Sequence, residues 1–123
     1  MLNQMEQVTS QDLANMSSAE FDAMPFGMIQ LDRDGIVKTY NMWESKLARR
    51  DPRDVVGKNF FTEVAPCTNV ASFRGKLDEL HETQKKNYIF DYEFSFPWGK
   101  RKVRVRFVVE SPDERWVLVT SIG

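Results

Sequence analysis

Apolar and polar positions alternate most cleanly toward the C-terminal end of the chain. Phe90, Tyr92, Phe94 and Phe96 interleave with Asp91, Glu93 and Ser95, and Val103, Val105 and Phe107 interleave with Lys102, Arg104 and Arg106. A period of two is that of a strand with one face buried. Pro97-Trp98-Gly99-Lys100 separates the two runs and predicts a hairpin. Centred on Trp98-Gly99, the hairpin sets Glu93 opposite Arg104, Asp91 opposite Arg106, Phe94 opposite Val103 and Tyr92 opposite Val105. Opposite charges then line one face and apolar pairs the other. Pro112-Asp113 predicts a further turn into a last strand over Arg115 to Ile122.

Upstream, Phe26 to Asp32 reads as a strand, Asp34-Gly35 as a hairpin turn and Ile36 to Tyr40 as the return strand. Asn41 is placed to cap a short helix from Met42 to about Arg50. Asp51 is placed to cap another turn, with Pro52 at its first position and Gly57 as its stop. Residues 58–72 show no period. Phe73 to Lys86 is an amphipathic helix with Phe73, Leu77 and Leu80 on one face. Near the N-terminus, Thr9 or Ser10 precedes Asp12 and Leu13, and Ser17 or Ser18 precedes Glu20 and Phe21, so two short capped helices are expected. Helices this short persist only by packing, which makes this segment the first expected to detach.

The order of elements implies an α+β fold. One antiparallel five-stranded sheet carries the short helices on one face. Residues 1–25 form a small N-terminal helical cap, and residues 26–123 the core.

Composition sharpens this. At 123 residues, 41% hydrophobic and 28% charged, the chain suits one globular domain. Its net charge of −1 argues against a nucleic-acid surface. The basic positions from Lys100 to Arg106 read as a solvated strand face paired with acids. No apolar run is long enough for a bilayer, and the start of the chain lacks a basic-then-apolar leader. A single cysteine, which cannot form an internal disulfide, suits a reducing compartment, so the cytoplasm is expected.

Candidate chemistry is sparse. Cys67 is a lone cysteine in Pro-Cys-Thr, open to being a buried small hydrophobe or a modified thiol. His81, the one histidine, reads as a solvated helix residue. One His and one Cys fall short of a metal-ligand set, and the glycines form no phosphate-cradling loop. Tyr40 and Glu44 lie four apart at the start of a helix and can share a side. Glu44 also fits a capping box, Asn41-x-x-Glu44, in which its carboxylate bonds back to the cap amide.

The run GKNFFTEVAPCT, Gly57 to Thr68, closely resembles the chromophore-attachment segment of photoactive yellow proteins. FGMIQLDRDG from Phe26 to Gly35, Tyr40-Asn41, Glu44 and Arg50-Asp51-Pro52 resemble the same family at matching spacing. FDYEF and the strand from Lys102 do so more loosely. The resemblance covers nearly all the chain from about residue 17 and implies a PAS-type fold and blue-light sensing. It implies a covalent 4-hydroxycinnamic acid (p-coumaric acid) group held as a thioester on Cys67. Tyr40 and Glu44 would donate hydrogen bonds to its phenolic oxygen, and Arg50 would shield it from solvent. Phe60 and Phe61 would be the aromatic pair before the attachment loop, Pro66 would shape that loop, and Phe94 and Trp98 would lie on a hairpin closing over the pocket.

Glu44 can donate only if protonated, so the resemblance implies a neutral acid beside a phenolate, a state that low dielectric favours. Light-driven isomerisation would be followed by proton transfer from Glu44, leaving a buried carboxylate and releasing the N-terminal segment to a downstream signalling protein. Ala48, Phe96 and Trp98 stand where well-known members have threonine, tyrosine and methionine, so spectral tuning and dark recovery are expected to differ. The residues also admit a chromophore-free PAS-type domain that binds a ligand or partner. A cysteine enzyme needs a base that His81 does not evidently supply. A monomer or weak homodimer is expected.

Overall fold

The computed structural model describes residues 4–122. Met1 to Asn3 of the expected cap and Gly123 of the expected core lie outside the described residues. The strands are β1 (Gly27–Leu31), β2 (Val37–Tyr40), β3 (Asn87–Phe96), β4 (Gly99–Ser111) and β5 (Glu114–Ser121). They form one antiparallel five-stranded sheet in the order β2-β1-β5-β4-β3. The helices are α1 (Ser10–Asn15), α2 (Ser18–Ala23), α3 (Met42–Ala48) and α4 (Lys76–Glu82).

The hairpin register differs from the sequence expectation by two residues. Phe96 pairs with Gly99, so Pro97-Trp98 forms the turn. Asp91 then faces Arg104, Glu93 faces Lys102, Tyr92 faces Val103 and Phe90 faces Val105. Pro97 presets φ for the first turn position and has no amide to lose there. A shift of two keeps every side chain on its expected face, so the charge pairing survives with new partners: Arg104 Nε lies 2.8 Å from Asp91.

Helix α4 is shorter than the amphipathic pattern suggests. A wide π-type turn, Ala71–Gly75, leads into it, and Gln84 at φ 58 stops the chain soon after Glu82. Residues 58–72, without period in the sequence, form irregular turns at Phe60–Val64 and Pro66–Thr68.

Both sheet faces are covered. On one, Phe60, Phe73, Leu77 and Leu80 pack on Ile29, Phe94, Val105, Phe107 and Val117. On the other, the N-terminal segment makes a second core in which Met5, Val8 and Leu13 bury Met28, Val108, Trp116 and Leu118. Thr9 and Ser17 cap α1 and α2, each in a reciprocal box with Asp12 or Glu20. Arg106 pins this layer: its Nη1 donates to the carbonyls of Met5 and Val8, both at 2.8 Å. Its Nη2 donates to Asn87 Oδ1 at 2.7 Å.

Candidate functional site

Between α3, the 60s turns and the tip of the β3–β4 hairpin lies a cavity of about 940 Å³. Tyr40, Glu44, Arg50, Phe60, Pro66, Cys67, Phe94 and Trp98 all line it, with Ala48, Arg49 and Phe96. Phe61 does not. It is buried edge-on to Phe60, at 5.4 Å between ring centres, beneath the β1–β2 turn and under the Arg74 guanidinium. Gly35, at φ +82, makes room there, since a Cβ would sit 2.9 Å from the Phe61 ring.

Asn41 explains how Glu44 is freed from capping. Its side-chain oxygen accepts from Glu44 N–H at 3.2 Å, as a cap should, and also from Met28 N–H at 3.0 Å. Its backbone N–H, the group a capping-box carboxylate would take, donates instead to Met28 O at 3.1 Å. Its Nδ2 donates to Phe21 O and Phe26 O at 3.1 and 3.0 Å. The capping-box reading of Glu44 is therefore overturned: the amide it needs is already used by β1.

The Glu44 side chain turns inward, 2% exposed, and its Oε2 is buried without a hydrogen-bond partner. Gly27 lies directly beneath, and a Cβ there would collide with that oxygen. Burial pushes the Glu44 pKa up to about 8. The carboxyl is then neutral at pH 7 and able to donate. Tyr40 ends β2 and is likewise buried. Its hydroxyl pKa is raised by burial first and by the charge of Glu44, with Arg50 acting in the opposite sense. Two protonated donors thus share one wall.

Cys67 is half-buried on a single 3-10 turn that starts at Pro66. Thr68 Oγ1 donates to Ala65 O at 2.6 Å, and the Tyr92 hydroxyl donates to Cys67 O at 2.5 Å, so the turn is tied within itself and to β3. Arg50 Nη1 donates to Val64 O at 3.2 Å and binds the end of α3 to the same segment. Arg49, in the left-handed region at φ 57, points the other way and lies over the Trp98 ring at 4.1 Å.

Several residues were not singled out in the sequence: Gly27, Asn41 as a hub, Arg49 and Tyr92. Gly27 carried a signal, since a glycine within an apolar strand marks close approach. Tyr92 had its alternation. Arg49 had none.

The family described as PAS fold matches residues 15–118. The photoactive yellow protein of Rhodothalassium salexigens is 37% identical over 111 residues, 89% of each chain. That of Halochromatium salexigens is 39% identical over 111 residues, again 89% of each. Among solved structures, the photoactive yellow protein domain of the sensor histidine kinase Ppr from Rhodospirillum centenum is 39% identical. It superposes with a TM-score of 0.84 over 90% of this chain and 98% of that one. By sequence along nearly its whole length and by fold, the chain belongs to the photoactive yellow protein family of PAS-fold photoreceptors.

Proposed function

We propose that this protein senses blue light through a 4-hydroxycinnamoyl group joined as a thioester to Cys67 Sγ. The observation that carries the reading is the buried carboxyl of Glu44, its Oε2 without a hydrogen-bond partner, on a residue that lines one cavity with Tyr40 and the only cysteine. A buried neutral acid without a partner is costly unless an acceptor meets it, and a phenolic oxygen is such an acceptor. When bound, the group supplies a light-isomerisable double bond and an aryl oxygen that ionises.

The residues do the rest. Cys67 provides the sulfur that a thioester requires. The Tyr40 hydroxyl and the protonated Glu44 carboxyl donate charge-assisted hydrogen bonds, worth about 1.5–3 kcal/mol each, which offset the burial of an anion. Phe60, Phe94 and Phe96 exclude water, and Arg50 and Pro66 hold the attachment turn in place. Proton loss from Glu44 leaves a carboxylate in a dry site, which costs several kcal/mol. Asn41 caps the helix bearing Glu44 and also holds Phe21 O and Phe26 O, so strain there reaches the N-terminal layer. Release of residues 1–25 from the core over 26–123 is then the signal, read by a downstream signalling protein in the cytoplasm. The activity is light sensing rather than turnover of a substrate.

Intact mass and visible spectra of protein made with and without activated 4-hydroxycinnamic acid test this. The expected result is one coumaroyl adduct, absent in Cys67→Ser, with blue absorption that bleaches in light. Failure of Cys67 to take the acyl group, or an adduct with no red shift on folding, overturns it and favours a chromophore-free PAS-type sensor.

A further inference from the structure

Arg49 and Trp98 line the cavity, and the scheme above gives them no part. Trp98, at the hairpin tip, stacks face to face on Phe96, with ring centres 5.1 Å apart and planes 7° apart. The Arg49 guanidinium lies 4.1 Å from the same indole, and Arg101 lies 5.1 Å from it. Trp98 Nε1 is buried without a hydrogen-bond partner. The indole is therefore placed by its faces and not by its polar edge.

Arg49 occupies the residue that ends α3, at φ 57 and ψ 46. Glycine is the residue best suited to that conformation, because a Cβ there is strained. The exposed arginine is thus an unfavourable choice for the backbone alone, and its contact with the indole offsets that cost. The left-handed turn also sends the two consecutive arginines to opposite walls: Arg50 to the carbonyl of Val64, beside the turn that carries Cys67, and Arg49 to the hairpin. One wall is tied by hydrogen bonds to backbone. The other is tied by a cation over a ring, a weaker and more reversible contact.

We propose that Arg49 and Trp98 form the gate of the Cys67 cavity: the indole, stacked on Phe96 and held by the Arg49 guanidinium, closes the mouth between the hairpin tip and the end of α3, and its swing admits the aromatic acyl donor that modifies Cys67. The proposal rests on the reading that Cys67 is acylated, but the gate itself acts on any reagent of similar size. Arg49 and Trp98 are positioning residues, with no part in the acyl transfer.

The lone thiol makes the test direct. Unmodified protein is labelled with iodoacetamide and with the bulkier pyrenyl maleimide, followed by intact mass, while urea unfolding is measured in parallel. Loss of one cation–π contact raises the open population roughly two- to fivefold. Arg49→Gly should therefore speed pyrenyl maleimide labelling by about that factor while leaving stability unchanged or raised, since glycine suits the turn. Arg49→Lys should fall between, Trp98→Leu should exceed Arg49→Gly, and Trp98→Phe should restore part of the closure. The small reagent should respond less than the large one.

Faster labelling in a protein no less stable cannot come from unfolding. Wild-type labelling rates in both Arg49→Gly and Trp98→Leu, or rates that rise only in step with lost stability, would refute the gate. Attachment of an activated 4-hydroxycinnamic ester separates the two readings. If wild type refuses the ester while the variants still label faster, the gate stands and the chromophore reading falls. If wild type takes it and no variant changes the rate, the gate falls alone.

Discussion

The buried acid makes a quantitative prediction that needs no chromophore. In the unmodified protein, Glu44 titrates near 8 against an ordinary value of 4.5. Between these values the folded chain holds a proton that the unfolded chain has lost. Folding then takes up a proton, and stability falls as pH rises. Each pKa unit corresponds to about 1.36 kcal/mol, so at pH 7 the penalty is roughly 3 kcal/mol, levelling off at roughly 5 kcal/mol above pH 8. Below the ordinary value both states are protonated and the term vanishes. That loss is a large share of the stability of a small domain. Glu44→Gln keeps the shape and cannot ionise. Urea unfolding of both unmodified proteins from about pH 5 to about pH 9 isolates the contribution as a difference between two curves, in which other titrating groups cancel. Wild type should lose several kcal/mol relative to the variant across this range. Parallel curves would mean that Glu44 ionises in the folded chain at its ordinary pH, and the argument for a neutral donor would fail.

Gly27→Ala should drive the carboxyl of Glu44 out of its niche, because the new methyl occupies the place of Oε2. Overpacking of this kind costs about 1–3 kcal/mol in urea unfolding and should flatten the pH dependence just described. Arg106→Ala removes the donor to Met5 O and Val8 O. Amide exchange across residues 5–16 should speed up by roughly tenfold or more, as expected for charged hydrogen bonds worth about 1.5–3 kcal/mol, while exchange in β5 stays unchanged. Equal acceleration in β5 would show that the pin supports the whole sheet.

Much of the fold was legible because its signals are local. The alternation over β3 and β4 needs only a window of ten residues, and the caps at Thr9 and Ser17 only three. The hairpin register slipped because a four-residue turn sequence admits two centres, and side-chain alternation cannot separate registers that differ by two. The competing role for Glu44 was undecidable from Asn41-x-x-Glu44 alone. What settles it is Met28, thirteen residues upstream, accepting from the Asn41 amide. Sequence showed no trace of that partner. The second core has a sign in the sequence: Trp116 to Val119 is a continuous apolar run, the mark of a strand covered on both sides. The site residues came from the resemblance, and physical patterning alone left Cys67 open. Phe61 shows the limit of such transfer, since it packs edge-on against Phe60 in the same core yet does not line the cavity.

The sheet is a diaphragm one backbone thick. Val117 and Val119 sit in the compartment of Cys67, while Trp116 and Leu118 sit under the N-terminal layer. Neighbours on one strand cannot shift separately, so a change of shape on one side is felt on the other across a single peptide bond, a route shorter than the one through the Asn41 side chain. The residues that cover one face can therefore vary with little rebuilding of the other, because the two layers meet mainly through the main chain that both press upon and through the ties of Asn41 and Met42 to α2.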